Sequence, residues 1–303
     1  MVSNKNILIA QGGGPTNVIN QSLVGIIQQE NNYKSKILGS INGVNGIINN
    51  RFISLNKISE NDLKTIANTP GAALGSTRDK PDKKYCKEIL KILENKQISK
   101  FYYIGGNDSS DSLRIILEYA KDTKYKLQCI HIPKTIDNDL VCNDHTPGFG
   151  SAAKYVAQLF SGINYDVKSL PGVYLGIVMG RHAGFLTAAS SLLKKENDDG
   201  PNLIYIPESP FEMNTFLNQV KSIFNKYGRC VIAISEGIQD KNKKLISQKI
   251  IKKNEYDAHG NIQLSGTGSL GDYLSGEIKE KLKLPRVRAD TLGYPQRCFL
   301  GST

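Results

Sequence analysis

The sequence lacks the patterns that are typical of secreted, zinc-binding and membrane-spanning proteins. Its five cysteines are odd in number, widely spread and without a C-x-x-C pair, which argues against a disulfide framework and a zinc site and favours a reducing compartment. No apolar run approaches the roughly 20 residues that a membrane helix needs. The first residues, MVSNKNILIAQGG, do not resemble a signal peptide. We therefore expect a soluble, cytoplasmic protein without a membrane partner.

Composition indicates a folded protein with an anionic partner. The 303 residues leave room for two domains at roughly 150 residues each, and 39% hydrophobic with 22% charged residues exclude wholesale disorder. The net charge of +11 suits an anionic ligand. The basic stretch 240–253 has no interleaved aromatic residues, so it predicts a solvated surface rather than a nucleic-acid arm. We expect no nucleic-acid partner.

Short β-rich runs alternate with amphipathic stretches of helical length. The predicted strands cover residues 6–10, 101–106, 127–133, 173–181, 202–207 and 229–237. Helical spacing of apolar residues follows the first two strands, and a helix is predicted at about 151–163. This alternation predicts an α/β fold with parallel sheets, in which ligands gather at the carboxyl ends of the strands.

Two glycine-rich segments follow predicted strands: QGGGPTN at 11–17 and GGNDSS at 105–110. Glycines allow close backbone approach, so their N–H groups can bind an anion at a helix N-terminus. The spacing is not G-x-G-x-x-G and no Gly-Lys dipeptide occurs, which disfavours an NAD-dependent dehydrogenase and a P-loop. In the second segment, acidic and amide groups can hold a hydrated Mg²⁺. Each segment alone is also explained by a tight turn or an ordinary N-cap; the two together favour a phosphate site.

The strongest motif is PKTIDND at 133–139, directly after a predicted strand. Phosphoryl transfer needs a carboxylate that accepts the proton of the attacking hydroxyl and cations that neutralise the transferred group. Asp137 and Asp139 supply carboxylates and Lys134 supplies a cation. A solvated acidic turn is the alternative, and it does not explain why a third polar strand end occurs here.

Three further segments carry arginine and glutamate: MGR at 179–181, PE at 207–208 and the terminal stretch from Arg288 to Arg297. The guanidinium fork suits a sugar phosphate, and Glu208 suits sugar hydroxyls. Singly, each arginine is more often a surface residue than a ligand.

Together these strings resemble the phosphofructokinase family over the whole chain. They occur in family order as GGGPTN, LGSTR, GGNDS, PKTIDND, MGR, IPE, SEG and LGYPQR. The chain is most similar to the pyrophosphate-dependent branch, because Lys134 and Asp108 stand where ATP-dependent members carry glycine. The resemblance implies two similar α/β domains, mainly parallel sheets flanked by helices, and an active site in the interdomain cleft.

The resemblance also implies roles for individual residues. Asp137 is the base that deprotonates the 1-hydroxyl of fructose 6-phosphate, with Lys134 and Asp108 as further catalytic residues. The sugar phosphate is bound by Thr135, Asp139, Met179, Gly180, Arg181, Glu208, Arg288, Tyr294 and Arg297. Pyrophosphate is bound by Gly13, Arg78, Asp108 and Lys134. Asn107 is a ligand of Mg²⁺, the implied cofactor.

The resemblance further predicts the organisation of the chain. Residues 1–144 form the domain that binds pyrophosphate and Mg²⁺, rejoined by 289–303, and residues 145–288 form the sugar-phosphate domain. The protein is expected to be a homodimer or homotetramer. Three departures from the family pattern are present: Asn107 replaces an aspartate, Gly172 replaces an arginine that reaches the neighbouring subunit, and we expect the C-terminal family segment to be missing after Thr303.

The expected reaction is reversible, Mg²⁺-dependent phosphoryl transfer from pyrophosphate to fructose 6-phosphate, a glycolytic step. Two alternatives remain open. One is an ATP-dependent 6-phosphofructokinase, against which Asp108 and Lys134 argue. The other is an inactive, truncated paralogue that only binds ligand or a full-length partner.

Overall fold

The structure is a computed structural model that describes residues 6–32, 36–250 and 268–299. Residues 251–253 of the basic stretch and 300–303 of the predicted rejoining segment therefore lie outside the described residues. Among the described helices, none combines the length and the hydropathy that crossing a membrane requires.

The first half of the chain forms a five-stranded sheet in the order β3-β2-β1-β4-β5, parallel except for β3. Its elements are β1 (Asn6–Gln11), α1 (Val18–Asn31), β2 (Ile37–Ser40), α2 (Gly43–Ile48), β3 (Phe52–Ser54), α3 (Glu60–Asn68), α4 (Lys83–Asn95), β4 (Ile98–Gly105), α5 (Asn107–Asp122) and β5 (Gln128–Pro133).

The second half forms a four-stranded parallel sheet in the order β7-β8-β6-β9. Its elements are α6 (Phe149–Ser169), β6 (Val173–Val178), α7 (Phe185–Ala188), β7 (Leu203–Tyr205), α8 (Met213–Tyr227), β8 (Cys230–Ser235), α9 (Ser269–Leu282) and β9 (Val287–Thr291). The predicted α/β fold with mainly parallel sheets is confirmed, and the six predicted strands are β1, β4, β5, β6, β7 and β8.

Each sheet is covered by helices on both faces, which explains why its central strands are continuously apolar. Along β1, Leu8 and Ala10 pack with α2, α4 and α5, whereas Ile7 and Ile9 pack with α1 and α3. The second sheet is arranged in the same way, with α8 and α9 on one face and α6 and α7 on the other. Both sheets therefore leave only their strand ends free to build a site.

The division at 1–144 and 145–288 stays a prediction. The two sheets use β1–β5 and β6–β9 respectively, and the chain returns toward the first sheet after β9. There the Asn17 N–H donates to the Arg297 carbonyl at 3.2 Å, and the Asn17 side-chain amide donates to the Phe299 carbonyl at 2.8 Å. Arg297 is thus held beside the glycine turn that follows β1.

Candidate functional site

A cleft of about 320 Å³ lies at the carboxyl ends of β1, β4 and β5 and is closed by loops that follow β6, β8 and β9. Eleven of the predicted site residues line it: Gly13, Arg78, Asn107, Asp108, Lys134, Thr135, Asp137, Asp139, Met179, Arg181 and Arg297. Motifs up to 284 positions apart in sequence (297 − 13) therefore meet in one cavity.

The glycine turn after β1 lines one side of the cleft with backbone atoms. Gly13 has φ +73°, a left-handed conformation that favours glycine, and its N–H donates to the Thr77 carbonyl at 3.0 Å. A Cβ on Gly14 would lie 2.8 Å from Nη1 of Arg297. The absence of side chains here lets Arg297 lie directly over the turn.

The second glycine segment brings the N-terminus of α5 into the cleft. A Cβ on Gly105 would lie 2.2 Å from Oγ of Ser109, so glycine is required where β4 passes into the helix. Asn107, Asp108 and Ser109 then form the first turn of the 16-residue helix α5 and line the cleft. Free N–H groups and the helix dipole make such an end attractive to an anion.

Lys134 is almost fully buried between these two turns, 3% exposed. Its backbone N–H donates to the Gly105 carbonyl at 3.0 Å, and its Nζ donates to the Gly14 carbonyl at 2.5 Å. Burial and the nearby guanidinium of Arg297 lower the pKa of Lys134 to about 8. The ammonium is therefore still mostly protonated at pH 7 and faces the cleft as a poorly solvated cation.

The DND turn presents two carboxylates beside Lys134. Asn138 between them has φ +58° and is buried; its amide oxygen accepts the Thr146 N–H at 2.7 Å. Burial, reinforced by the neighbouring Asp139, raises the pKa of Asp137 to about 6. Asp137 is therefore ionised at neutral pH and still basic enough to accept a proton.

Asp139 faces the start of α5. Its Oδ2 accepts a hydrogen bond from the Asn107 amide at 3.0 Å, and its Oδ1 is buried without a hydrogen-bond partner among the described residues. An ionised oxygen in that state is unfavourable unless a cation or a donor from a ligand reaches it. Asn107, the predicted metal ligand, is thus in direct contact with a carboxylate that has a free acceptor.

Glu236 is a cleft residue to which the sequence analysis assigned no role. It follows β8, is 7% exposed and lines the cavity with Arg181. Burial and the nearby Asp137 raise the pKa of Glu236 to about 7. The signal for it was the SEG string at a predicted strand end, because polar residues at such ends point toward ligands in parallel sheets. A Cβ on the next residue, Gly237, would lie 2.0 Å from the Arg181 carbonyl.

Four predicted sugar-phosphate residues do not line the cavity. Gly180 forms a turn beneath it with φ +134°, and its carbonyl accepts a hydrogen bond from the Ser235 hydroxyl at 2.5 Å. Glu208 accepts the Gly184 N–H at 2.8 Å. Arg288 is exposed on β9, and Tyr294 is 60% exposed with its ring 4.9 Å from the Arg297 guanidinium.

The chain matches the protein family described as Phosphofructokinase over residues 6–303. It is 56% identical over 297 residues to the pyrophosphate–fructose 6-phosphate 1-phosphotransferase of Rhodospirillum rubrum, an alignment that covers 97% of this chain and 74% of that protein. It is 33% identical to the sulfofructose kinase of Alkalicoccus urumqiensis, with coverage of 97% and 74%. The solved pyrophosphate-dependent phosphofructokinase of Nitrosospira multiformis is similar with a TM-score of 0.83 at 31% identity, covering 98% of this chain and 71% of that one.

The raised pKa of Asp137 predicts that this carboxylate destabilises the folded protein at neutral pH. A carboxyl whose pKa rises from 3.8 to about 6 on folding contributes stability below pH 3.8, and that contribution is lost as the pH rises through about 6. We expect Asp137→Asn to raise the free energy of unfolding at pH 8 by at most about 3 kcal/mol, and at pH 4.5 by about a third of that gain. Denaturant melts at the two pH values measure this.

Asp199→Asn is the matched control with the opposite sign. Hydrogen bonds from the Lys168 ammonium and from backbone N–H groups hold the pKa of Asp199 well below its usual range, so this variant should lose stability at pH 8. A loss of stability in both variants at pH 8 would contradict the assignment of a raised pKa to Asp137.

Proposed function

Because the chain belongs to the phosphofructokinase family, we infer that it catalyses reversible phosphoryl transfer from pyrophosphate to the 1-hydroxyl of fructose 6-phosphate. The products are fructose 1,6-bisphosphate and phosphate, and the reaction is a step of glycolysis. The 56% identity to a pyrophosphate–fructose 6-phosphate 1-phosphotransferase supports the donor and the acceptor. The observation that carries the mechanism is the pairing, in one cleft, of the buried Lys134 ammonium with the basic Asp137 carboxylate.

We propose that pyrophosphate lies across the two glycine turns. The N-terminus of α5 offers N–H groups and the helix dipole, Gly13 leaves room for the ligand beside it, and Arg78 and Lys134 offer cations in the same cavity lining. As charge moves onto the bridging oxygen, the Lys134 ammonium stabilises it without reorganisation, because the side chain is already held by Gly14.

The residues beside α5 fit Mg²⁺. This ion binds through one or two carboxylates together with substrate phosphates and water. Asp139 has a buried oxygen without a hydrogen-bond partner, and Asp108 and the Asn107 amide lie in the same lining. No group of three or more His, Cys, Asp or Glu among the described residues could hold a metal ion alone. We therefore propose that Asn107, Asp108 and Asp139 hold Mg²⁺ with pyrophosphate, where it neutralises charge on the transferred group.

We propose that Asp137 accepts the proton of the 1-hydroxyl as the oxygen attacks. The sugar phosphate would then lie toward the second sheet, against Thr135, Met179, Arg181 and Arg297, with Glu236 as a further ligand of its hydroxyls. Glu208, Arg288, Gly180 and Tyr294 stay predicted ligands from the resemblance, and they lie outside the cavity lining of this chain.

We also propose that the protein is a cytoplasmic homo-oligomer. The five cysteines are all free, which fits a reducing compartment. Large apolar side chains are exposed at Tyr165, Leu170, Leu192 and Leu193, and a subunit interface would cover such side chains.

The choice of donor tests the proposed function. The unaltered protein should turn over with Mg²⁺, fructose 6-phosphate and pyrophosphate, and not with ATP, because the Asp108 carboxylate repels the additional phosphate of a nucleotide. Asp108→Gly should improve ATP binding, and Lys134→Gly should lower pyrophosphate turnover because a preorganised cation is lost. Initial rates of fructose 1,6-bisphosphate formation with each donor measure this. A preference of the unaltered protein for ATP would show that both residues have been misread.

The pH dependence of turnover tests the base. Asp137 must be ionised to accept the proton, so activity should rise as the pH passes about 6. Lys134 must be protonated, so activity should fall above about 8. Asp137→Asn should lower kcat by about 10²–10⁴-fold. An acidic limb that stays unchanged in the residual activity of Asp137→Asn would remove Asp137 as the group that titrates.

A further inference from the structure

Four hydrogen-bonded polar side chains form a row at the loop that carries Arg78; one of them, Asp79, also lines the cleft, and none has a role in the reaction described above. We refer to residues 74–80 as the Arg78 loop; it connects α3 to α4 and forms one wall of the cleft. The row consists of Arg51, Asn45, Asp79 and Tyr85.

The Arg78 loop is joined directly to the glycine turn of the pyrophosphate half. The Gly13 N–H donates to the Thr77 carbonyl at 3.0 Å, and the Ser76 hydroxyl donates to the Gly13 carbonyl at 2.5 Å. Both backbone groups of Gly13 are thus used by the loop. A shift of the Arg78 loop would therefore move the glycine turn and the start of the Arg78 side chain together.

Asp79 anchors this loop to two helices. Its Oδ2 accepts the Tyr85 hydroxyl of α4 at 2.8 Å and the Asn45 amide of α2 at 3.0 Å. The Asn45 Oδ1 in turn accepts hydrogen bonds from Arg51 Nη2 at 2.7 Å and from the Asn49 amide at 3.1 Å, which orient the Asn45 amide toward Asp79. The Asp79 N–H donates to the Thr77 hydroxyl at 3.2 Å, which closes the turn around Arg78.

The protonation states of Asp79 and Tyr85 maintain the hydrogen bond between them. Burial acts to raise the pKa of Asp79, but the hydrogen bonds from Asn45, Tyr85 and Thr77 together lower it below its ordinary value. Burial and the Asp79 carboxylate raise the pKa of Tyr85 far above its ordinary value. Asp79 therefore stays ionised and Tyr85 stays a donor across the working pH range, which makes each hydrogen bond charge-assisted.

We propose that Asp79, held by Tyr85 and Asn45, is a positioning residue that preorganises Arg78 for pyrophosphate. Arg78 is exposed on the cleft wall, so the backbone of the loop determines the point from which its side chain reaches the ligand. A loop that is ordered before the ligand arrives avoids the entropic cost of ordering it on binding. The proposal rests on the proposed function, because it takes pyrophosphate as the ligand of Arg78.

Tyr85→Phe is the central variant, since it removes one hydroxyl and leaves the ring and the Asp79 charge. We expect the Kd for Mg²⁺-pyrophosphate by calorimetry and the KM for pyrophosphate to rise about 3- to 10-fold. The kcat and the KM for fructose 6-phosphate should stay within about twofold. Tyr125→Phe is the control: Tyr125 donates to the Ile98 carbonyl at the amino end of β4, away from the cleft, and its removal should leave the pyrophosphate Kd and KM unchanged. An equal effect of both variants would overturn the proposal.

A double-mutant cycle shows whether Tyr85 acts through Arg78. In an Arg78→Ala background, Tyr85→Phe should have no further effect on the pyrophosphate Kd. An undiminished effect there would overturn the proposal, as would a wild-type Kd in Arg78→Ala itself.

Asp79→Asn should also weaken pyrophosphate binding, whereas tighter binding would show that Asp79 acts only by repelling the ligand. Calorimetry measures pyrophosphate binding without turnover. If pyrophosphate binds but no reaction occurs, the proposed reaction is refuted, and the double-mutant cycle still decides whether Asp79 positions Arg78.

Discussion

The site depends on the burial of one ammonium group at the meeting point of two glycine turns. Lys134 lies between turns that need glycine to pack against their neighbours: a Cβ on Gly14 would lie 2.8 Å from Arg297 Nη1, and a Cβ on Gly105 would lie 2.2 Å from Ser109 Oγ. The backbone N–H of Lys134 bonds to one turn and its Nζ to the other. The three strand ends, β1, β4 and β5, are therefore locked together around a cation, and the remaining groups of the cleft are arranged about it.

Buried carboxylates in the same cleft balance the charge of that cation. Asp137 and Glu236 have pKa values raised toward neutrality, and Lys134 has a pKa lowered toward it. Each group is thereby available to exchange or hold a proton near pH 7, a condition that general acid–base chemistry requires. Burying charges of both signs lowers the stability of the protein when no ligand is bound. Such a conflict between stability and function is common at functional sites.

The residues at the ends of β1, β4 and β5 could be predicted from the sequence. The residues that face them from the second half of the chain could be predicted only in part. Lys134 and Asp137 could be predicted because they directly follow an apolar strand in a compact motif. Glu236 was missed and Glu208 chosen instead, because both lie at the ends of predicted strands and only the folded chain shows which one lines the cavity. The position of Arg297 over Gly14 depends on a chain return across 283 residues (297 − 14), and the Asp79 anchor depends on helices α2 and α4, for which the sequence analysis made no prediction.

A crystal structure with Mg²⁺, fructose 6-phosphate and a non-hydrolysable pyrophosphate analogue tests the central claim most directly. The account predicts a phosphate oxygen within about 2.7–3.2 Å of Lys134 Nζ, and the 1-hydroxyl of the sugar within hydrogen-bond distance of Asp137. A complex in which the analogue lies away from the two glycine turns, with Lys134 still bonded only to the Gly14 carbonyl, would contradict it.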